Sequence, residues 1–213
     1  MSRATRIRGT ASSRYSRRVA SDSGAQRGLT GSGLPSSGAD ASLRAVAVGM
    51  GSNLGSRIDH LRAAARCLAK KVLVEPRFSR VYETAPLYGL DQPAYLNACC
   101  VGWTRLEPDA LLVSLKDLES DAGRDRDAPR FSSRPLDLDI LLYADEVVET
   151  PHLAIPHAAL AERAFVLLPL AEVAGAWRHP ALGRSIAELA TALDPEGVTL
   201  TELRLVGASD GGS

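Results

Sequence analysis

The sequence predicts an α+β sandwich. Apolar residues switch along the chain between a period of two and a period of 3.6, which marks strands and helices respectively. These elements alternate irregularly, with hairpins among them, rather than in the βαβ order of a doubly wound sheet. The 213 residues, 45% of them hydrophobic, leave room for one domain with a sizeable core and some excess.

Order is expected from Arg44. Ala45–Met50 alternates small residues (Ala45, Ala47, Gly49) with larger ones (Val46, Val48, Met50), a strand whose small face lets another element approach closely. Gly51–Gly55 turns the chain. Ser56 and Asp59 have capping-box spacing and open a helix with Ile58, Leu61, Ala65, Leu68 and Val72 on one face. Phe78–Thr84 and Tyr95–Trp103 read as strands, with a Pro/Gly-rich loop, Ala85–Ala94, between them. Pro108 suits the first turn of a second helix with Leu111, Leu115 and Leu118 buried and Gly123 past its end. A strand is expected over Arg134–Tyr143, without pairing at Pro135, which has no N–H. Leu160–Val173 reads as helix interrupted at Pro169, Ile186–Leu193 as a last helix, and Val198–Val206 as a last strand.

The formal net charge is zero but uneven: residues 1–44 carry eight Arg and two Asp, a balance of +6 against −6 for the rest. An acidic body argues against a nucleic-acid coat, so an anion site must be a local cluster. Residues 1–43 are rich in Ser, Gly, Ala and Arg without an apolar period, which predicts a disordered extension. That composition also suits an organelle transit peptide, the lesser alternative to an unstructured extension. Residues 44–206 are expected to form the domain and 207–213 a flexible tail. Cys67, Cys99 and Cys100 are odd in number and lack C-x-x-C spacing, which suits buried thiols in a reducing, cytoplasmic setting. The longest apolar stretch, Ala164–Ala171, is far short of the ~20 residues that span a bilayer.

The chemistry concentrates near one strand. In Arg134-Pro-Leu-Asp-Leu-Asp-Ile-Leu-Leu, Asp137 and Asp139 share one strand face, opposite Leu136, Leu138 and Ile140. Two such carboxylates suit Mg²⁺, which takes one or two carboxylates plus phosphate oxygens; they also suit an exposed polar edge. Ahead of them lie Arg124, Arg126, Arg130 and Arg134, four permanent charges within eleven residues. Forked guanidinium donors suit a polyphosphate, while Asp125 and Asp127 could neutralise two of them in a solvated loop. Pro156-His157, Arg163 and Phe165 follow. Gly51-Ser52-Asn53 could cradle phosphate without being a Walker loop. Tyr95 and Asn97 share a strand face, where an aromatic beside an amide suits a flat heterocycle or plain sheet surface.

Taken in order, these residues resemble the 6-hydroxymethyl-7,8-dihydropterin pyrophosphokinase family over roughly residues 45–195. The matching pieces are Gly51-Ser-Asn-Leu-Gly55, Thr84-Ala-Pro-Leu87, Asp91-Gln-Pro-Ala-Tyr-Leu-Asn-Ala98, Glu119, Gly123-Arg124, Arg134-x-Leu-Asp-Leu-Asp-Ile-Leu141, Pro156-His157 and Arg163-x-Phe165. The resemblance implies a ferredoxin-like α/β sandwich with a mainly antiparallel sheet flanked by helices. It implies transfer of pyrophosphate from ATP to 6-hydroxymethyl-7,8-dihydropterin, releasing AMP, in folate synthesis. By resemblance, Asp137 and Asp139 hold two Mg²⁺ ions, and Arg124, Arg134 and Asp139 are catalytic. The ATP site is implied at Glu119, Arg126, Arg130, Phe131, Arg134, Ile140, His157 and Arg163, with Arg126 and Arg130 on a mobile lid. Thr84, Ala85, Leu87, Tyr95, Asn97 and Phe165 are implied at the pterin. The expected partners are these two small molecules, with no nucleic acid and no membrane, and the chain is expected to be a monomer.

The sequence departs from the family pattern at Phe131, where Trp is usual, at Ser132-Ser133, where Gly-Pro is common, and at Pro135, where Thr is usual. Ala158 replaces a common aromatic, and His152 stands where an Arg sometimes occurs. The rival readings are a non-catalytic nucleotide-binding module of the same fold and an RNA-binding protein using the basic tail.

Overall fold

The chain was analysed as a computed structural model, which describes residues 42–86, 91–125, 127–129 and 132–206. The extensions expected at 1–43 and 207–213 lie almost wholly outside the described residues. In order, the elements are β1 (Arg44–Ser52), α1 (Arg57–Lys71), β2 (Val74–Phe78), β3 (Tyr82–Thr84), β4 (Tyr95–Thr104), α2 (Pro108–Asp121) and β5 (Asp137–Tyr143). There follow β6 (Val148–Glu149), β7 (Ala154–Ile155), a 3-10 turn (Leu160–Glu162), α3 (Ala164–Ala174), α4 (Ile186–Ala192) and β8 (Val198–Leu200). The main sheet has the order β5-β1-β4-β3-β8, with β2 also pairing β4, and every pairing in it is antiparallel. This bears out the α+β sandwich and its mainly antiparallel sheet.

Alternation along the strands divides the core in two. Val46, Val48 and Met50 of β1 face α1 and α2, where Leu61, Leu68, Leu111 and Leu115 are all fully buried. The small residues Ala45 and Ala47 face α3 and α4, against Leu167, Leu170, Ile186 and Leu189. Each fully buried Leu contributes about 1.5–3 kcal/mol of transfer free energy. Between β1 and β5 the register shifts, Ala47 pairing with Leu142 but Val48 with Ile140, so Leu141 is the extra residue of a bulge. The bulge turns both Leu141 and Leu142 into the α3/α4 core.

Several expectations are corrected. Phe78–Thr84 is split: β2 ends at Phe78 and β3 begins at Tyr82, and between them Ser79 Oγ takes the Cys99 N–H at 2.9 Å in place of a backbone acceptor. The last strand stops at Leu200 because its partner β3 begins only at Tyr82, and Thr201 N–H turns to Val81 O at 3.0 Å. In the Leu160–Val173 stretch the break falls at Arg163, whose backbone is extended (φ −115°, ψ 104°), and Pro169 lies inside α3. There the burial of Leu167, Pro169 and Leu170 outweighs one missing intrahelical bond. The Ser56 hydroxyl bonds to the Asp59 carboxylate rather than to the backbone. Aspartate is one methylene shorter than the glutamate of a capping box. A reciprocal box does form at Ser185 and Glu188 of α4, with N–H bonds of 3.2 and 2.8 Å.

Candidate active site

The site occupies the α3/α4 side of the sheet, where glycine replaces the side chains that would otherwise fill it. Gly49 and Gly51 continue the small face of β1 and floor a cavity of about 300 Å³. Strand register places two rows across this floor: Asn97–Gly51–Asp137 and Cys99–Gly49–Asp139. A Cβ on Gly51 would lie 3.5 Å from Asn97 Oδ1, 3.8 Å from Asp137 Cβ and 3.9 Å from Tyr95 Cδ1. The glycines therefore keep open the space between a carboxylate edge and an amide–aromatic edge.

On the carboxylate edge, Arg124 Nη1 lies 2.6 Å from Asp137 Oδ1, and Arg134 Nη1 lies 3.1 Å from the same oxygen. Burial, which would raise the Asp137 pKa, is outweighed by these two guanidinium groups, so its carboxyl sits below the usual range. Asp139 shifts the other way: burial first, then the charge of Asp137, hold its carboxyl above that range. Two same-face carboxylates, one held firmly anionic, suit Mg²⁺. A carboxylate pair leaves an ion to take its other ligands from phosphate and water, as Mg²⁺ commonly does. His157 and Arg163 complete this side of the lining. His157 Nδ1 accepts the Ala159 N–H at 3.2 Å, which leaves the proton of the neutral ring on Nε2. The extended backbone at Arg163, between the 3-10 turn and α3, sets that side chain at the cavity, its guanidinium carbon 5.7 Å from the Phe165 ring centre.

On the other edge, Asn97 and Thr84 are buried and joined by a 2.8 Å bond from Asn97 Nδ2 to Thr84 Oγ1. With its N–H engaged there, Asn97 presents Oδ1 to the floor. Tyr95, Phe165 and Ala85 line the same space. The combination of a flat apolar slot, an amide acceptor and a charged flank is an arrangement for a polar aromatic ring bearing, or meeting, a phosphate chain.

Residues 47–175 match the family model for 7,8-dihydro-6-hydroxymethylpterin-pyrophosphokinase, HPPK. The chain belongs to the HPPK family. Its relatives include a 2-amino-4-hydroxy-6-hydroxymethyldihydropteridine pyrophosphokinase of Pseudomonas aeruginosa, 38% identical over 73% of this chain and 96% of the relative. A mitochondrial folate synthesis bifunctional protein of Arabidopsis thaliana is 45% identical over 61% of this chain and 23% of the relative. The chain thus spans about a quarter of the length of such bifunctional relatives. In fold it resembles the Plasmodium falciparum HPPK-DHPS structure with pteroate, at a TM-score of 0.56 and 16% identity, over 70% of this chain and 42% of that one.

Of the residues the HPPK resemblance implied, the cavity brings together Thr84, Ala85, Tyr95, Asn97, Arg124, Arg134, Asp137, Asp139, His157, Arg163 and Phe165. Two are placed elsewhere. The Ile140 side chain, on the opposite strand face, is buried in the α1/α2 core, so only its backbone is left to meet a nucleotide. Glu119, 2% exposed, lies behind the site and holds it from there. Its carboxylate takes Lys116 Nζ at 2.9 Å, the Leu138 N–H at 2.7 Å and Arg124 Nη1 at 2.8 Å. Burial raises its pKa against the pull of those partners. Leu87, Arg126, Arg130 and Phe131 lie outside the described residues. Sequence reasoning missed Lys116, which lines the cavity and reaches Leu138 O at 3.2 Å. Its signal was the Lys116-x-x-Glu119 spacing on the polar side of α2.

Proposed function

We propose that this chain transfers pyrophosphate from ATP to 6-hydroxymethyl-7,8-dihydropterin and releases AMP, with Asp137 and Asp139 holding two Mg²⁺ ions. One observation carries the reading: the Gly49–Gly51 floor joins a carboxylate–guanidinium edge to an amide–aromatic edge within one cavity. Bound Mg²⁺ supplies charge neutralisation and alignment of the phosphate oxygens. Arg124, Arg134, His157 and Arg163 bind the phosphate chain; Tyr95 and Phe165 pack on the pterin faces, and Asn97 Oδ1 accepts from a ring N–H. Phosphoryl chemistry depends on such positioning more than on covalent help. The substrate hydroxyl oxygen bonds to the β-phosphorus, the bond from that phosphorus to the α–β bridging oxygen breaks, and AMP leaves. A carboxylate oxygen of Asp139 that is not engaged by Mg²⁺ takes the hydroxyl proton.

Residues 44–206 form the catalytic unit in this reading, acting as a monomer. Free Cys67, Cys99 and Cys100 support a reducing compartment such as the cytoplasm. The test is AMP release by the full chain with both substrates and Mg²⁺. Activity that needs all three, and falls by about 10²–10³-fold in Asp137→Ala, is expected. An inactive wild-type chain sinks the proposal, and wild-type turnover in Asp139→Asn removes Asp139 as the base.

A further inference from the structure

One buried side chain beside the cavity takes no part in the chemistry proposed above. Asn53, 1% exposed, follows β1 and pairs with Arg134 twice. Its backbone N–H donates to Arg134 O at 3.1 Å, and its Oδ1 accepts the Arg134 N–H at 2.7 Å. Nδ2 of the same carboxamide reaches Ser133 Oγ at 3.3 Å, Gln92 Oε1 at 3.4 Å and Pro93 O at 3.5 Å. A single planar group therefore touches two segments that are far apart in sequence, and each leads into a different edge of the cavity. Gln92-Pro93 precedes Tyr95, and Arg57 Nη1 ties Ala94 O to α1 at 2.6 Å. Ser133-Arg134 precedes Asp137, which Arg134 grips through Nη1.

Because the carboxamide is planar, Oδ1 and Nδ2 cannot follow the two segments independently. Displacing one segment breaks a hydrogen bond or drags the other segment along. Ser133 strengthens this link in the present chain. It stands where the family commonly carries proline, and its hydroxyl accepts a bond that a prolyl side chain has no group to accept.

We propose that Asn53 is a positioning residue that couples the two halves of the site. Ordering of Gln92–Ala94 by the pterin is transmitted through the carboxamide to Ser133–Arg134 and the Arg134–Asp137 pair, so each substrate binds more tightly beside the other. The proposal rests on the pyrophosphokinase reading. It is tested by the affinities of the full chain, with Mg²⁺, for an ATP analogue carrying a methylene α–β bridge and for the dihydropterin, each alone and beside the other at saturation. Wild type is expected to show mutual tightening of about 5–150-fold, equal in both directions as linkage requires. Asn53→Asp keeps the acceptor for Arg134 and loses the donor. In it, and in Asn53→Ala, the factor is expected to fall below about twofold while each ligand alone binds within about threefold of wild type. Ser133→Ala is expected to fall between. An unchanged factor in Asn53→Asp overturns the coupling, as does a wild-type chain that binds both ligands without mutual effect. Outright loss of both ligands in Asn53→Asp also overturns it, marking a purely structural role. A wild-type chain that binds neither ligand instead overturns the pyrophosphokinase reading itself.

Discussion

Arg124 and Asp137 meet through Nη1 and Oδ1 at 2.6 Å, and that contact sets apart two carboxylates that the strand presents side by side. Asp137, with Arg134 and Arg124 beside it, stays ionised to lower pH than an ordinary aspartate, while Asp139 gives up its proton later. Acidification therefore protonates Asp139 first. Mg²⁺ affinity, followed by titration between about pH 4 and 8, is expected to decline from above the ordinary aspartate value of about 3.9. Arg124→Ala removes one of the groups holding Asp137 down, so its decline is expected to be steeper and to start higher. For folding the two groups act in opposite directions. Asp137 contributes stability above about pH 3.9 that is lost as pH falls through its lower folded pKa. Asp139, raised on folding, costs stability above its folded pKa and relieves that cost as pH falls. Between about pH 4 and 8 Asp139 alone of the pair titrates, so its contribution to thermal stability is expected to rise as pH falls while Mg²⁺ affinity declines, and Asp137 adds its loss only below about pH 3.9. Affinity that stays flat down to pH 4 is the contrary result.

Gly51 has room for a methyl group at ordinary contact distance from Asn97, Asp137 and Tyr95, but the methyl takes the space between the two edges. Gly51→Ala is expected to fold with nearly wild-type thermal stability while kcat/KM falls by about 10–100-fold, the cost of sub-ångström misplacement of reacting groups. Unchanged kinetics would show that the floor is not part of the reaction space.

Glu119 works from behind the sheet. Glu119→Ala removes one carboxylate from Lys116, Arg124 and the Leu138 N–H together. Breaking a buried ion cluster by deleting one member costs roughly 3 kcal/mol, read as a lower urea midpoint. Activity should fall as well, because Leu138 sits between the two aspartates. Full activity with lowered stability would reduce Glu119 to a structural part.

Phe165 belongs to the amide–aromatic edge. Phe165→Ala is expected to weaken dihydropterin binding by about 10–100-fold, in line with ~1–3 kcal/mol for an aromatic stacked on a base. Binding of the ATP analogue alone should change far less, despite Arg163 lying over that ring. Equal losses for both ligands would contradict the assignment of the two edges.

Much of this could be read in the sequence because its causes are local. A period of two put Asp137 and Asp139 on one face and Leu136, Leu138 and Ile140 on the other; Pro135, without an N–H, marked where that strand could not pair. The small face of Ala45, Ala47 and Gly49 foretold close approach, and the cavity lies on it. The misses have other causes. Ser185 and Glu188 made the capping box rather than Ser56 and Asp59 because one methylene decides whether the carboxylate reaches back. Lys116 was overlooked because α2 shows its apolar stripe plainly, while its polar side turns to the site only once packed against β5.

The sequence by itself determined which residues alternate and which carry charge, since each follows from neighbours a few positions away. Only the tertiary structure decided that Asn97 and Asp137 face each other across Gly51, that a bulge at Leu141 turns two leucines into one core, and that a single amide at Asn53 meets both Gln92 and Arg134. These are pairings across tens of residues, set by strand register and by the burial of side chains on both faces of the sheet. No local period encodes them.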